Sequence, residues 1–86
     1  LHADPQPWEM LIEVFIQEAE GVKIAVNTLC RSSTATPSTA LRIFNKLCEA
    51  RLLVKVSDPN DGRRHFVQLT LRARKSLYAY FCVEKN

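Results

Sequence analysis

The sequence predicts a mainly α fold carrying one small β-hairpin, and three observations support it. Apolar residues recur at helical spacing over residues 8–19 and again over 40–47. A capping threonine and a proline stand together at Thr36-Pro37, directly after a short polar run. Two alternating apolar segments, at 53–57 and 65–69, flank a turn-forming stretch that begins at Ser57-Asp58-Pro59. At 86 residues the chain is expected to be one domain spanning 1–86, small enough that its core is marginal and a partner would help. With 47% hydrophobic and 24% charged residues it is too apolar for a disordered segment.

The first helix is read from Trp8, Leu11, Ile12, Phe15, Ile16 and Ala19, which recur at i, i+3, i+4, i+7, i+8 and i+11 and are expected to form its core stripe. Pro7 suits a first turn, the acids Glu9 and Glu13 favour the N-terminal half, and Gly21 is placed to end the helix. An acidic outer face is repelled by phosphates, so this helix is expected to lie away from any nucleic acid. Next, Val22, Ile24 and Val26 alternate with Lys23 and Ala25, a short strand-like run. Asn27 is then placed to cap a brief helix from Thr28 to about Ser32 that buries Leu29 and Cys30.

Thr36-Pro37 supplies a capping hydroxyl followed by proline at the first helical position, and Ala40, Ile43, Phe44 and Leu47 make the next helical stripe, over about 37–50. Two helices this close, the second opened by Thr and Ser, have the form of a helix-turn-helix. With the stripe turned inward, Ser38, Arg42, Asn45 and Glu49 point outward and Thr39 and Lys46 flank them. Ser, Thr, Asn, Arg and Lys are the side chains that bind phosphate oxygens and base edges, although any solvated helix face could carry them.

Leu53, Val54 and Val56 with Lys55 and Ser57 read as a strand, and His65 to Leu69 as its return. Asp58-Pro59 starts the turn, and Asn60-Asp61-Gly62 supplies residues that tolerate positive φ. Arg63 and Arg64 stand on the turn's exit. Thr70 caps a closing helix in which Leu77, Tyr78, Phe81 and Cys82 supply apolar area and Arg72, Arg74 and Lys75 basic charge.

Charge is divided unevenly. Residues 1–22 hold five acids and no Lys or Arg, hence −5; the remainder holds twelve bases and four acids, hence +8. A basic body behind an acidic first helix suits a protein that turns one face to a polyanion. Cys30, Cys48 and Cys82 are odd in number, widely spaced and without a C-x-x-C, and His2 and His65 are isolated, so neither a disulfide framework nor a metal site is expected. Buried thiols are the expectation for Cys30 and Cys48, with Cys82 left open. Gly21 and Gly62 are too far apart for a phosphate loop, and no G-x-S-x-G or H-E-x-x-H occurs, so no enzyme and no cofactor is expected. The longest stretch without charge, Ser32 to Leu41, is rich in Ser and Thr and too short to span a membrane. Without an export-signal pattern at its start, the chain is expected in the cytoplasm.

Helix, strand, helix-turn-helix, two-stranded wing and helix, in this order, resemble the winged helix-turn-helix domain of the MarR-type transcription regulators. Asp61-Gly62-Arg63-Arg64 and Leu69-Thr70 look like that family's D-x-R-R wing element and the strand ending in L-T that follows it. Thr36-Pro37-Ser38-Thr39-Ala40-Leu41-Arg42, leading to Leu47 and Leu52-Leu53, is similar to its recognition-helix pattern. The resemblance covers residues 8–82 and implies a homodimer, joined through the first and last helices, that binds double-stranded DNA. It implies the recognition helix in the major groove and the wing, about 57–65, in the minor groove. Carried over by position, Thr36, Ser38, Thr39, Arg42, Asn45 and Lys46 would meet bases or phosphates, Arg63 or Arg64 would enter the minor groove, and Asp61 would orient an arginine. Two departures stand out. Arg51 occupies the place of the family's glycine after the recognition helix, so the helix must use another cap or hold arginine in a left-handed conformation. The chain is also shorter than the usual regulator, which leaves a small-molecule effector unsupported. The other readings are a winged helix serving as a protein-interaction or assembly module, and a small enzyme, for which no motif speaks.

Overall fold

Four helices enclose one face of a three-stranded antiparallel sheet in a computed structural model that describes residues 5–83. The order is α1 (Pro5–Ala19), β1 (Ile24–Ala25), α2 (Val26–Ser32), α3 (Pro37–Glu49), β2 (Leu53–Asp58), β3 (Asp61–Leu69) and α4 (Leu71–Val83). The sheet runs β1-β3-β2, with Ile24 opposite Val67 and Leu53 opposite Leu69. Its buried face is set by the two-residue period: Leu53, Val67 and Leu69 turn inward, whereas Val54 and Val56 are exposed. The core joins them to Met10, Leu11 and Val14 of α1, Leu29 of α2, the whole expected stripe Ala40, Ile43, Phe44 and Leu47 of α3, and Ala73 and Leu77 of α4.

The face of α1 differs from the expected stripe. Met10, Leu11 and Val14 are buried, Ile12 and Phe15 pack partly against the core, and Trp8, Ile16 and Ala19 are exposed. This helix is apolar on two sides, so periodicity alone could not choose which one faces the sheet. The second side meets α4: Trp8 lies edge-on to Tyr80 at 5.5 Å, Phe15 edge-on to Tyr78 at 5.3 Å, and Phe15 stacks on Phe81 at 5.3 Å.

Local signals at the ends of elements hold unevenly. Strand β1 is only two residues long and Val26 is already helical, so the N-cap of α2 is Ala25, without a side-chain cap bond, and not Asn27. Pairing of Ile24 and Ala25 with β3 fixes where the strand ends, a long-range constraint that local sequence does not carry. At the hairpin, Gly62 lies in β3 with ordinary φ, and neither Asn60 nor Asp61 has positive φ. The turn closes over Pro59-Asn60 instead, because Asp58 Oδ1 accepts the Asn60 N–H at 2.8 Å and a register irregularity between Ser57 and Asp58 absorbs the twist.

Two helices end alike. The Gly21 N–H reaches Glu18 O at 3.0 Å and the Val22 N–H reaches Gln17 O at 2.8 Å; likewise Arg51 N–H meets Cys48 O and Leu52 N–H meets Leu47 O, both at 3.0 Å. Both are Schellman closures with a left-handed residue after the cap, Gly21 at φ 75° and Arg51 at φ 63°. Arginine thus takes the left-handed position itself. Thr70 caps α4 as expected, its Oγ1 accepting from the Ala73 N–H at 3.1 Å while donating to Arg51 O at 2.8 Å.

Candidate nucleic-acid interface

Helix α3 presents the first half of the site. Thr36 is its N-cap: Oγ1 accepts from the Thr39 N–H at 3.4 Å and donates to Thr39 Oγ1 at 3.0 Å, so these two residues are first of all partners of each other. Because Ala40, Ile43, Phe44 and Leu47 are held in the core, Ser38, Leu41, Arg42, Asn45 and Lys46 are exposed. Thr39, Arg42 and Lys46 line a cavity of about 340 Å³ together with Pro7. The start of α1 therefore borders this face at Pro7, and none of its acids lines that cavity.

The wing presents the second half. Asp61 Oδ1 accepts the Arg63 N–H at 3.1 Å and stands 3.9 Å from Arg63 Nε, with the arginine side chain 96% exposed. A pair this exposed contributes little energy. The backbone bond fixes the chain at Arg63, so it is Arg63, not Arg64, that Asp61 faces. Arg64 is held differently, with its guanidinium 5.1 Å from the centre of the Phe66 ring, which Lys23 Nζ also approaches at 5.7 Å.

Between the wing and α2 lies a cleft of about 480 Å³ lined by Asn27, Thr28, Arg31, Lys55, Asp61, Arg63, Arg64 and His65, among others. Four basic side chains and one carboxylate line it, a local excess of positive charge that attracts anions. Of the residues that line it, the sequence singles out Asp61, Arg63 and Arg64 but not Arg31, Lys55, Asn27 or Thr28. Lys55 could have been found, because the period of two puts it on the same face of the hairpin as Arg63 and His65. Arg31 could not, since its place depends on how α2 docks against the sheet. No α3 residue lines this cleft.

The remaining titratable groups stand outside the site. Cys30 and Cys48 are half-buried free thiols, less enclosed than expected, and burial raises both above the ordinary value. The Cys82 side chain and His2 lie outside the described residues. Arg74 is engaged by Glu18. Among the described residues no group of three His, Cys, Asp or Glu comes together to hold a metal, and no helix is long and apolar enough to cross a membrane.

The fold that carries this helix and wing is one that other proteins share. Residues 7–73 match the winged helix DNA-binding domain family. The chain belongs to that family. Among solved structures, this winged helix is similar to the S. aureus MepR-DNA complex, at TM-score 0.78 and 17% identity over 95% of this chain and 64% of that one. It is similar to a probable transcriptional regulator from Pseudomonas aeruginosa, at TM-score 0.74 and 24% identity over 96% of this chain and 60% of that one. AF1382 from Archaeoglobus fulgidus is matched at TM-score 0.74 and 16% identity over 98% of this chain and 92% of that one. The winged helix thus spans less than two-thirds of the first two. No curated protein matches the sequence. The fold is the one that the MarR-type motifs of the recognition helix and wing implied, and its family is defined by binding DNA, not by a reaction.

Proposed function

We propose that this winged helix binds double-stranded DNA sequence-specifically as a transcription regulator of MarR type, with α3 in the major groove and the wing, about 57–65, in the minor groove. One observation carries the reading: an exposed helix face of Ser38, Arg42, Asn45 and Lys46 and a cleft with four cations occur together on a single small domain. Groove width and phosphate spacing favour such a division, because base edges are read by a helix in the major groove while cations beside it neutralise the backbone. Arg42, Asn45 and Ser38 read base edges, with Thr39, Lys46 and the Thr36 cap along the backbone. Arg63 enters the minor groove, Arg64 is steadied on Phe66 beside it, and Asp61 orients Arg63. The MepR structure bearing DNA shares the fold, which supports the assignment of α3 and the wing.

The same reading makes the molecule a homodimer through α1 and α4, whose shared aromatic face leaves Trp8, Ile16, Tyr78, Tyr80 and Phe81 exposed. Fluorescence titration of random and selected duplexes at two salt concentrations tests the function. Tight, salt-dependent binding with a preferred sequence is expected, and Arg42→Ala should weaken the preferred duplex by about 1–3 kcal/mol while affecting random duplex less. Absence of binding to any duplex at low salt would remove the reading in favour of a protein-interaction module.

A further inference from the structure

Leu41 is out of place on the outer face of α3. The helix already buries four apolar side chains, yet Leu41 remains 48% exposed. Its neighbours on the helix surface at i−3 and i+4 are Ser38 and Asn45, and Arg42 follows it directly; all three are exposed and able to hydrogen-bond. A lone leucine on a protein surface usually needs no explanation. This one sits among the side chains assigned to base reading, within the N-terminal half of a helix whose early residues are the ones that approach base edges in helix-turn-helix docking.

We infer that Leu41 is a specificity-determining residue that packs on the 5-methyl group of a thymine in the major groove. The chemistry leaves one such partner in unmodified DNA: apart from the C5–H of cytosine, which lacks the methyl and offers far less apolar surface, the other groups that distinguish base edges in that groove are hydrogen-bond donors or acceptors, which an aliphatic side chain would desolvate without compensation. Ser38, Arg42 and Asn45 can satisfy those polar groups around it, so Leu41 adds a preference for T at one position and a penalty against bases that present an unmet polar edge there. The inference rests on the DNA-binding reading above.

The test removes the methyl group alone. From a duplex selected out of random sequence by the wild-type protein, each thymine is replaced in turn by deoxyuridine, which keeps the pairing, charge and hydrogen-bonding pattern. One position in each half-site should lose about fourfold in affinity, the factor for one buried methyl-sized group. Leu41→Ala, an exposed helix-compatible change whose fold is checked by thermal melting, should show the same loss on the thymine duplex and no further loss on deoxyuridine. Insensitivity of every thymine, or sensitivity that survives in Leu41→Ala, overturns the inference while leaving DNA binding intact. Failure to bind any duplex overturns both.

Discussion

Glu18 and Arg74, fifty-six residues apart, form a two-sided clasp between α1 and α4. Glu18 Oε1 accepts from Arg74 Nη2 at 2.9 Å and Nε at 3.2 Å, while its Oε2 accepts from the Leu69 N–H at 2.8 Å. Arg74 Nη2 also donates to Leu69 O at 3.2 Å. One carboxylate thus ties the end of the first helix to the last residue of β3 and to the closing helix, in part-buried surroundings where the bonds are worth more than at a free surface.

Removing that carboxylate should cost stability without touching DNA. Glu18→Ala leaves the Leu69 N–H without its acceptor and the guanidinium with only Leu69 O, and urea unfolding should show a loss of about 1–2 kcal/mol. Arg74→Ala in the same background should add less than it does alone, because the two changes remove one shared interaction. Strict additivity would mean the clasp contributes nothing as a pair. Arg74→Ala should also leave the salt dependence of DNA binding unchanged, since this arginine is engaged inside the protein.

The left-handed positions make a matched pair with opposite expectations. Arg51 at φ 63° carries a Cβ where glycine is unstrained, and its side chain is exposed, so Arg51→Gly should stabilise the protein by about 1 kcal/mol, the strain relieved outweighing the added freedom of the unfolded chain. Gly21→Ala at φ 75° should do the reverse by a similar amount, although no atom lies within 4 Å to clash with the new methyl. Thermal melting of both variants decides it; a destabilised Arg51→Gly would mean that the arginine side chain compensates its backbone.

How much of this is legible in the sequence follows from the range of the interactions. The α3 stripe, the Thr36-Pro37 and Thr70 caps and the hairpin strands rest on local periodicity and capping chemistry, and all four stand in the structure. The core face of α1 is ambiguous locally because Trp8, Phe15 and Ile16 on one side compete with Met10 and Val14 on the other, and only the sheet decides between them. The turn departs from expectation because Asp58, by capping Asn60, makes glycine's freedom unnecessary at Gly62. Of the site, the α3 face and the wing arginines are readable, whereas Arg31 joins the cleft only through the docking of α2, and Glu18 meets Arg74 only through the packing of α1 on α4.

The cleft gives a prediction about salt. Arg31→Ala and Lys55→Ala should each weaken binding nearly equally on preferred and random duplexes. Each should also lower the slope of log affinity against log salt by about 0.9, the value for one phosphate that the protein no longer neutralises. An unchanged slope for both would place the cleft outside the DNA path. Phe66→Leu should weaken binding without changing the slope, because it loosens Arg64 without removing its charge.

The thiols give a prediction about pH. Desolvation raises Cys30 and Cys48 above the ordinary 9.0, so both stay protonated at neutral pH and react slowly. In a Cys82→Ser background, alkylation at neutral pH should be slower in the folded protein than in urea. Folding raises these values, so their contribution to stability is whole below the unfolded thiol value and is lost as pH climbs through the folded one. Stability should therefore fall on the alkaline side, and substituting both thiols by Ala should remove that part of the fall. Fast alkylation of the folded protein would contradict the protonated state.

The face shared by α1 and α4 gives the last prediction. Trp8 at 44% and Tyr80 at 54% exposure meet edge-on, with Phe15 stacked on Phe81 beside them, an amount of aromatic surface that water disfavours on a free monomer. Sedimentation at micromolar concentration should find a dimer. Trp8→Ser with Tyr80→Ser should shift it to monomer with the fold retained, since neither ring is in the core. Dissociation should weaken a palindromic duplex far more than a single half-site, because the second half-site is reached only through the dimer. Equal weakening on both would mean that these rings act within the monomer, and a wild-type monomer at that concentration would leave the palindrome without a preformed reader.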